Sequence, residues 1–142
     1  INMKNILYTL ALLVCFNSFG QTAEEYYSNA WEKFDNEDYY GAIADFSKSI
    51  ELDPNDSDAY SSRAWATLML TSNTDANDPK ILEAIKDYDK SIELDPDNSD
   101  SYFRRGMAKY RSIGISDACP DLKKALSLGS SDAAKLVSEF CN

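Results

Sequence analysis

A repeated thirteen-residue segment constrains the fold of this 142-residue chain more than any other feature. Residues 42–54 read AIADFSKSIELDP, residues 84–96 read AIKDYDKSIELDP, and a looser third copy begins at Ala118. In each copy, apolar and small residues recur at the three- and four-residue spacing of one helix face. The proline that closes each of the first two copies ends its helix, because proline cannot continue one.

Each copy follows a second helical pattern, so the repeating unit is helix, turn, helix. The leading patterns span residues 23–36, 58–70 and 100–113, and each has an aromatic residue near its start and a small residue further along. One such pair cannot bury its apolar stripe alone, so the units are expected to stack. We expect close helix crossings at three pairs of small residues: Ala30 with Ala42, Ala64 with Ala84, and Gly106 with Ala118.

This unit resembles the tetratricopeptide repeat, a helical hairpin of about 34 residues. The resemblance covers residues 23–129 and is closest to short exported proteins of bacterial envelopes. It implies an all-α fold: a right-handed superhelix, or α-α solenoid, of three helix-turn-helix units plus a C-terminal capping helix. The predicted domain is 21–142, with repeats at about 23–56, 57–98 and 99–130 and the capping helix at 131–141. The residues expected to cover the last repeat are Ala134, Leu136, Val137 and Phe140.

The sequence departs from the family pattern in three places. The prolines of the first two repeats lie further apart than one unit because a polar stretch is inserted within residues 71–80. The third repeat lacks the closing proline. A position of the first helix that is usually leucine is Asn29, Arg63 and Arg105. None of these changes removes the small and apolar residues on which stacking depends.

Residues 1–20 have the pattern of a secretory signal peptide. Lys4 precedes an apolar run, and the small residues Ser18 and Gly20 precede a polar segment, so cleavage is predicted after Gly20. The run is too short to span a membrane comfortably. Two alternatives stay open: an uncleaved anchor, and a lipid on Cys15, although Val14 is larger than a lipoprotein box prefers. The protein is expected to be exported, to the periplasm or the outer membrane.

Composition argues against several functional classes. The 24 acidic residues exceed the 14 basic ones, and the net charge of −10 repels nucleic acid. The chain has no histidine, no glycine-rich phosphate loop and no nucleophile beside a base, so an enzyme, a cofactor and a small-molecule substrate are not expected. Asp75, Asn77 and Asp78 in the inserted stretch lack the spacing of a calcium loop, so no metal site is predicted.

The resemblance implies that the inner faces of the leading helices form a groove that binds another protein. By repeat position, the groove residues are Tyr27, Trp31, Trp65, Met69, Phe103, Arg104, Met107 and Arg111. Two interpretations stay open for the aromatic side chains. They form a peptide-binding stripe, since tryptophan, tyrosine and arginine dominate binding hot spots, or they pack against neighbouring helices as core. The two arginines pair either with a partner's carboxylate or with local acids.

Two further hypotheses concern the partner. A known subfamily holds the C-terminal carboxylates of chaperones with lysines, asparagines and an arginine, but only Arg104 fits that set. The leading hypothesis is therefore a module that holds some other protein segment, as a monomer in isolation. The alternative is a structural subunit of an envelope assembly that docks by its convex face.

Cys119 and Cys141 are expected to form a disulfide. Cys119 is predicted to start the last repeat helix, where Pro120 is tolerated in the first turn, and Cys141 to end the capping helix. Antiparallel helices joined by a short turn bring those ends together, and an exported compartment permits oxidation. The alternative is a pair of small buried thiols.

Overall fold

The computed structural model describes residues 21–71, 76, 78–112 and 114–141, and these residues form seven α-helices. The predicted all-α fold of stacked helix pairs is confirmed. The predicted signal peptide, Cys15 and most of the inserted stretch lie outside the described residues. The helices are α1 (Ala23–Asp35), α2 (Tyr39–Leu52), α3 (Ser57–Met69), α4 (Pro79–Leu94), α5 (Ser99–Ser112), α6 (Ile115–Ser127) and α7 (Ser131–Phe140).

The helices pack in chain order. Three hairpins form, from α1 with α2, α3 with α4, and α5 with α6. The hairpins join where α2 packs on α3 and where α4 packs on α5, and α7 closes the stack against α6. No helix in the described part of the chain is both long and apolar enough to cross a membrane.

Small residues let the two helices of each hairpin approach closely. All three predicted pairs of small residues are buried, with Ala30, Ala42, Ala64, Ala84 and Ala118 fully so. At Gly106 a β-carbon would lie 3.1 Å from the side chain of Leu122, so a larger residue would require Leu122 to shift by a few tenths of an ångström. The largest core side chains, Phe46, Tyr88 and Leu122, hold the same position in each repeat and fill the space between layers.

Polar side chains fix where the helices begin. Thr22 and Glu25 form a reciprocal capping box at the start of α1, which satisfies two backbone N–H groups that have no partner within the helix. Asp56 accepts hydrogen bonds from two N–H groups at the start of α3. Gly129 has a positive φ of 95° in the turn before α7, the left-handed conformation in which glycine commonly ends a helix.

Each hairpin also contains an ion pair that the sequence analysis did not predict. An aspartate at the same position of each second helix faces a cation from the first helix. In the second and third repeats this cation is the arginine at the usual leucine position, so that departure from the family pattern has a structural role. The ion pairs are Lys33–Asp45, Arg63–Asp87, and Asp121 with both Arg105 and Lys109.

The two arginines also join one repeat to the one before it. Arg63 donates to the hydroxyl of Ser47 at 3.1 Å, and Arg105 donates to the carboxylate of Asp89 at 2.6 Å. Ser47 and Asp89 hold the same position in α2 and α4. The guanidinium groups therefore fasten the hairpins to each other as well as closing their own.

The C-terminal region differs from the sequence prediction in two respects. Helix α6 begins at Ile115 rather than Cys119, so Pro120 lies inside the helix and not in its first turn. In α7, Leu136 and Val137 pack toward α6 as predicted, but Ala134 and Phe140 are exposed and Ala133 is the buried residue. A helix of this length buries only one narrow face, so residues at its other angles remain in water.

Cys119 and Cys141 are joined in a disulfide, which ties α7 to α6 across 22 residues of sequence. Cys141 is buried beside Leu122 and Ala118, so the bridge also contributes to the core at this end.

We expect Asp121→Asn to lower the free energy of unfolding by about 3 kcal/mol, because the change removes the buried anion that Arg105 and Lys109 share. The matched control is Asp89→Asn, since Asp89 pairs with the same Arg105 but is 54% exposed. That change should cost less than about 1 kcal/mol. Urea titrations of the wild type and the two variants measure both values. Equal losses of stability would contradict the role of Asp121 as the buried anion of the third hairpin.

Reduction of the disulfide should lower the free energy of unfolding by about 3 kcal/mol, since the bridge restricts the unfolded chain. Urea titrations with and without a thiol reductant measure the change. A Cys119→Ala, Cys141→Ala variant is the control, because reductant should not alter its midpoint. If the reductant leaves the urea midpoint of the wild-type protein unchanged, the bridge does not stabilise the fold.

Candidate functional site

The eight predicted groove residues line two adjoining cavities. The first cavity has a volume of about 310 Å³ and lies where α1, α3 and α5 meet. Its lining residues are Tyr27, Trp31, Asp58, Ser61, Ser62, Trp65, Asp100 and Arg104.

The second cavity has a volume of about 220 Å³ and continues along α3 and α5. It shares Trp65 and Arg104 with the first, so the two form one groove, which we call the two-cavity groove. The remaining lining residues of the second cavity are Leu68, Met69, Tyr88, Phe103, Met107, Ala108 and Arg111.

The tryptophans belong partly to the core and partly to the surface. Trp31 makes edge contacts with Phe46 and Trp65, with ring centres 5.7 Å apart in both cases, and a further contact with Tyr27 at 6.4 Å. Both indole rings are nevertheless only half-buried. Each of the two open interpretations therefore describes part of these side chains: they pack against their neighbours and still present surface to the groove.

Both arginines of the groove have local partners. The guanidinium of Arg104 lies 3.7 Å from the ring centre of Trp65, a cation–π contact, and it also pairs with the carboxylate of Asp100. Arg111 donates a hydrogen bond of 2.6 Å to the hydroxyl of Thr71. Arg104 therefore has the local acid that one interpretation expects, and Arg111 contacts a local hydroxyl.

Two carboxylates line the first cavity and were not predicted. Asp58 and Asp100 occupy the same position in the first turns of α3 and α5, and Glu24 holds that position in α1. This regular spacing in the sequence was the signal that could have identified them. Partial burial, and then the neighbouring carboxylates of Asp56, Asp95 and Asp100, raise the pKa of Asp58.

Tyr88 lies at the base of the second cavity. Its side chain is fully buried, and its hydroxyl has no hydrogen-bond partner among the described residues. Burial raises the pKa of the Tyr88 phenol, and the positive charge of Arg104 opposes part of that rise. The ring therefore stays neutral and serves as apolar volume.

No group of three or more histidine, cysteine, aspartate or glutamate side chains in the described ranges is arranged to hold a metal ion. The groove instead offers aromatic faces, one thioether-rich wall from Met69 and Met107, and a charged end. These groups can bind side chains through apolar, cation–π and ionic contacts.

Two segments of the chain, residues 23–56 and 87–119, match family models described as "Tetratricopeptide repeat". The two matches fall on the first hairpin and on the region from α4 into α6. No curated protein matches this chain.

Solved structures of similar fold include three peptide complexes. The second TPR domain of human RPAP3 with the HSP70 peptide SGPTIEEVD is 25% identical, with a TM-score of 0.72, covering 84% of this chain and 95% of that one. The TPR2B domain of yeast Sti1 in a pHsp70 complex is 28% identical, with a TM-score of 0.67 and coverages of 82% and 85%. The first TPR of Spaghetti (RPAP3) bound to the HSP90 peptide SRMEEVD is 22% identical, with a TM-score of 0.74 and coverages of 85% and 91%.

Tyr88→Phe should raise the free energy of unfolding by about 1 kcal/mol, because it removes a buried hydroxyl that has no partner. The control is Tyr27→Phe, which removes a hydroxyl 3.3 Å from the hydroxyl of Ser62 and should cost about 0.5 kcal/mol. Urea titrations give both differences. A loss of stability in Tyr88→Phe would show that its hydroxyl has a partner in solution.

Proposed function

This chain is a tetratricopeptide-repeat protein, and from that premise we propose that it binds an extended segment of a partner protein in the two-cavity groove. The tetratricopeptide repeat is a non-catalytic binding fold, so the function is sought in recognition. One observation carries the proposal. Trp31 and Trp65 are held rigidly by edge contacts yet remain half-buried, so they offer apolar surface to a ligand.

The shape and lining of the cavities favour a peptide over a small molecule. The cavities, of about 310 and 220 Å³, adjoin as an open groove, whereas small-molecule sites bury most of their ligand. Two shallow cavities in sequence instead suit alternate side chains of an extended chain. Their lining is rich in tryptophan, tyrosine and arginine, the residues that contribute most to binding energy at protein interfaces.

The structural neighbours support this mode of binding. The RPAP3 and Sti1 domains named above bind peptide segments of other proteins, and both cover most of this chain. We propose the same general activity here, exerted by a groove in which only Arg104 fits the residue set of the chaperone-binding subfamily. The peptide sequence is therefore expected to differ from theirs.

We further propose that the protein acts outside the cytoplasm, after cleavage following Gly20. The Cys119–Cys141 bridge supports this location, since disulfides persist in oxidising compartments. The mass of the mature protein tests the proposal. A mass beginning at Gln21 supports cleavage, whereas an added lipid on Cys15 would establish a membrane anchor.

A second candidate function is that of a structural subunit, and one surface favours it. Outside the two-cavity groove, a shallow cavity of about 190 Å³ is lined by Tyr40, Ile43 and Leu70 together with Thr67, Lys80 and Glu83. Tyr40 is 70% exposed. An exposed apolar centre with polar groups around it is typical of docking sites between subunits.

The groove proposal predicts that Met69→Glu weakens peptide binding at least about ten-fold, because it places a charge in an apolar cavity. Peptides are first selected from a displayed random library with the wild-type protein, and their dissociation constants are then measured by fluorescence anisotropy. Met69 is 42% exposed, so the variant is expected to fold.

The matched control is Leu82→Glu, the same type of change at a 55% exposed helix residue that lines neither cavity. It should leave the dissociation constants unchanged. Peptides that bind both variants as tightly as wild type would exclude the groove, and peptides lost only with Leu82→Glu would favour the structural-subunit alternative.

A further inference from the structure

The repeats allow one half of the groove to be compared with the other. Along the third repeat, α5 contributes Asp100 and Arg104 to a site beside Trp65 of the second repeat. One repeat earlier, α3 contributes Asp58 and Ser62 at the same two positions, beside Trp31 of the first repeat. The two sites therefore share an indole and a carboxylate, and the residue four positions after the carboxylate is arginine in one and serine in the other. They also differ in the residue four positions before the indole, which is Ser61 beside Trp65 and Tyr27 beside Trp31.

The site in the third repeat shows what this arrangement binds. The guanidinium of Arg104 lies over the ring of Trp65 at 3.7 Å and is paired at the same time with the carboxylate of Asp100. A planar guanidinium suits both contacts, because it stacks on an aromatic face while its N–H groups point outward to a carboxylate. The protein thus contains its own example of a bound arginine side chain.

The site between the first two repeats has an indole and a carboxylate at the same repeat positions and a short side chain in place of the arginine. Ser62 reaches only as far as the hydroxyl of Tyr27, at 3.3 Å. The first cavity, of about 310 Å³, lies at this point, and Trp31, Asp58 and Ser62 all line it. Ser62 itself is buried, so a side chain from outside would enter the cavity beside it, where Trp31 and Asp58 also line the wall.

The charge of this region is complementary to a cation. Asp58 and Asp100 line the cavity and Arg104 supplies the one positive side chain among its lining residues. Arg104 is already paired with Asp100, whereas among the described residues the Asp58 carboxylate accepts only a long hydrogen bond of 3.4 Å from the Asn98 amide. Asp56 and Asp95 lie near enough to raise the pKa of Asp58, so a cation beside it would relieve repulsion between carboxylates.

We propose that the first cavity binds an arginine side chain of the partner segment, held between the Trp31 indole and the Asp58 carboxylate as Arg104 is held by Trp65 and Asp100. This inference rests on the proposed function and specifies the chemistry of its ligand. The adjoining apolar cavity, with Met69, Phe103 and Met107, takes a large apolar side chain of the same segment. The preference is opposite in charge to the acidic peptides, SRMEEVD and SGPTIEEVD, bound by the structural neighbours.

The test uses Nα-acetyl-L-arginine amide as the probe and the ¹⁵N-labelled protein as the receptor. The chain has two tryptophans and therefore two indole N–H resonances, which a Trp65→Phe variant assigns. The Trp31 indole resonance should shift in a saturable way with the arginine probe. Nα-acetyl-L-citrulline amide, which is neutral and nearly isosteric, should cause no comparable shift at matched ionic strength.

Asp58→Asn should raise the dissociation constant of the arginine probe at least about five-fold, since it removes a charge-assisted hydrogen bond. The matched control is Asp97→Asn, which removes an equal charge from a nearby exposed aspartate that lines neither cavity and should leave the constant unchanged. A second variant, Ser62→Arg, supplies an internal guanidinium and should prevent the probe from shifting the Trp31 resonance. Circular dichroism confirms that each variant is folded.

Equal shifts with citrulline, or an affinity for arginine that Asp58→Asn leaves intact, would overturn the inference. The library selection described above separates this failure from that of the proposed function. If selected peptides bind the groove but lack arginine, the groove function stands and the arginine site is wrong. If no peptide binds the groove, the proposed function itself fails.

Discussion

The close crossing of paired helices at small residues is the constraint on which the other features depend. With Ala30 against Ala42 and Ala64 against Ala84, each hairpin brings its two backbones near enough for one layer of large side chains to fill the stack. A larger residue at any of these positions would separate the helices and displace Phe46 or Tyr88 from the core. The ion pairs and the groove walls keep their distances only because the backbones are held this way.

The sequence allowed much of this fold to be predicted because its repeats report the same contacts three times. Helix pairs and their small crossing residues follow from one unit and its spacing, and the eight groove positions follow from the resemblance to a family. Features that depend on a single side chain reaching another repeat were missed, among them the bridges from Arg63 to Ser47 and from Arg105 to Asp89. A pattern within one repeat gives the face on which an arginine lies, but not which of several acceptors it contacts.

The groove residues were likewise predicted only in part. The aromatic residues were predicted, because a resemblance to a family assigns faces of helices, whereas Asp58 and Asp100 were overlooked as ordinary acidic residues of a helix start. The beginning of α6 at Ile115 was missed because a proline usually marks the first turn of a helix, and here the surrounding packing tolerates it further inside. The unpartnered hydroxyl of Tyr88 had no signal in the sequence, since its aromatic position in the repeat fits phenylalanine equally well.

The fastening of the stack grows stronger from its first hairpin to its last. The first hairpin is closed by a lysine pair, Lys33–Asp45, the second by an arginine with two bonds to Asp87, and the third by two cations on Asp121 followed by a disulfide. On heating, the helices that the structure describes should therefore unfold in order, with α1 and α2 first and the disulfide-linked α6 and α7 last. The wall formed by Tyr27 and Trp31 belongs to the end that opens most readily, while the wall formed by Phe103 and Met107 belongs to the end that holds. A ligand that contacts both walls would link the less stable end to the more stable one. Its binding would therefore slow the unfolding of the whole array.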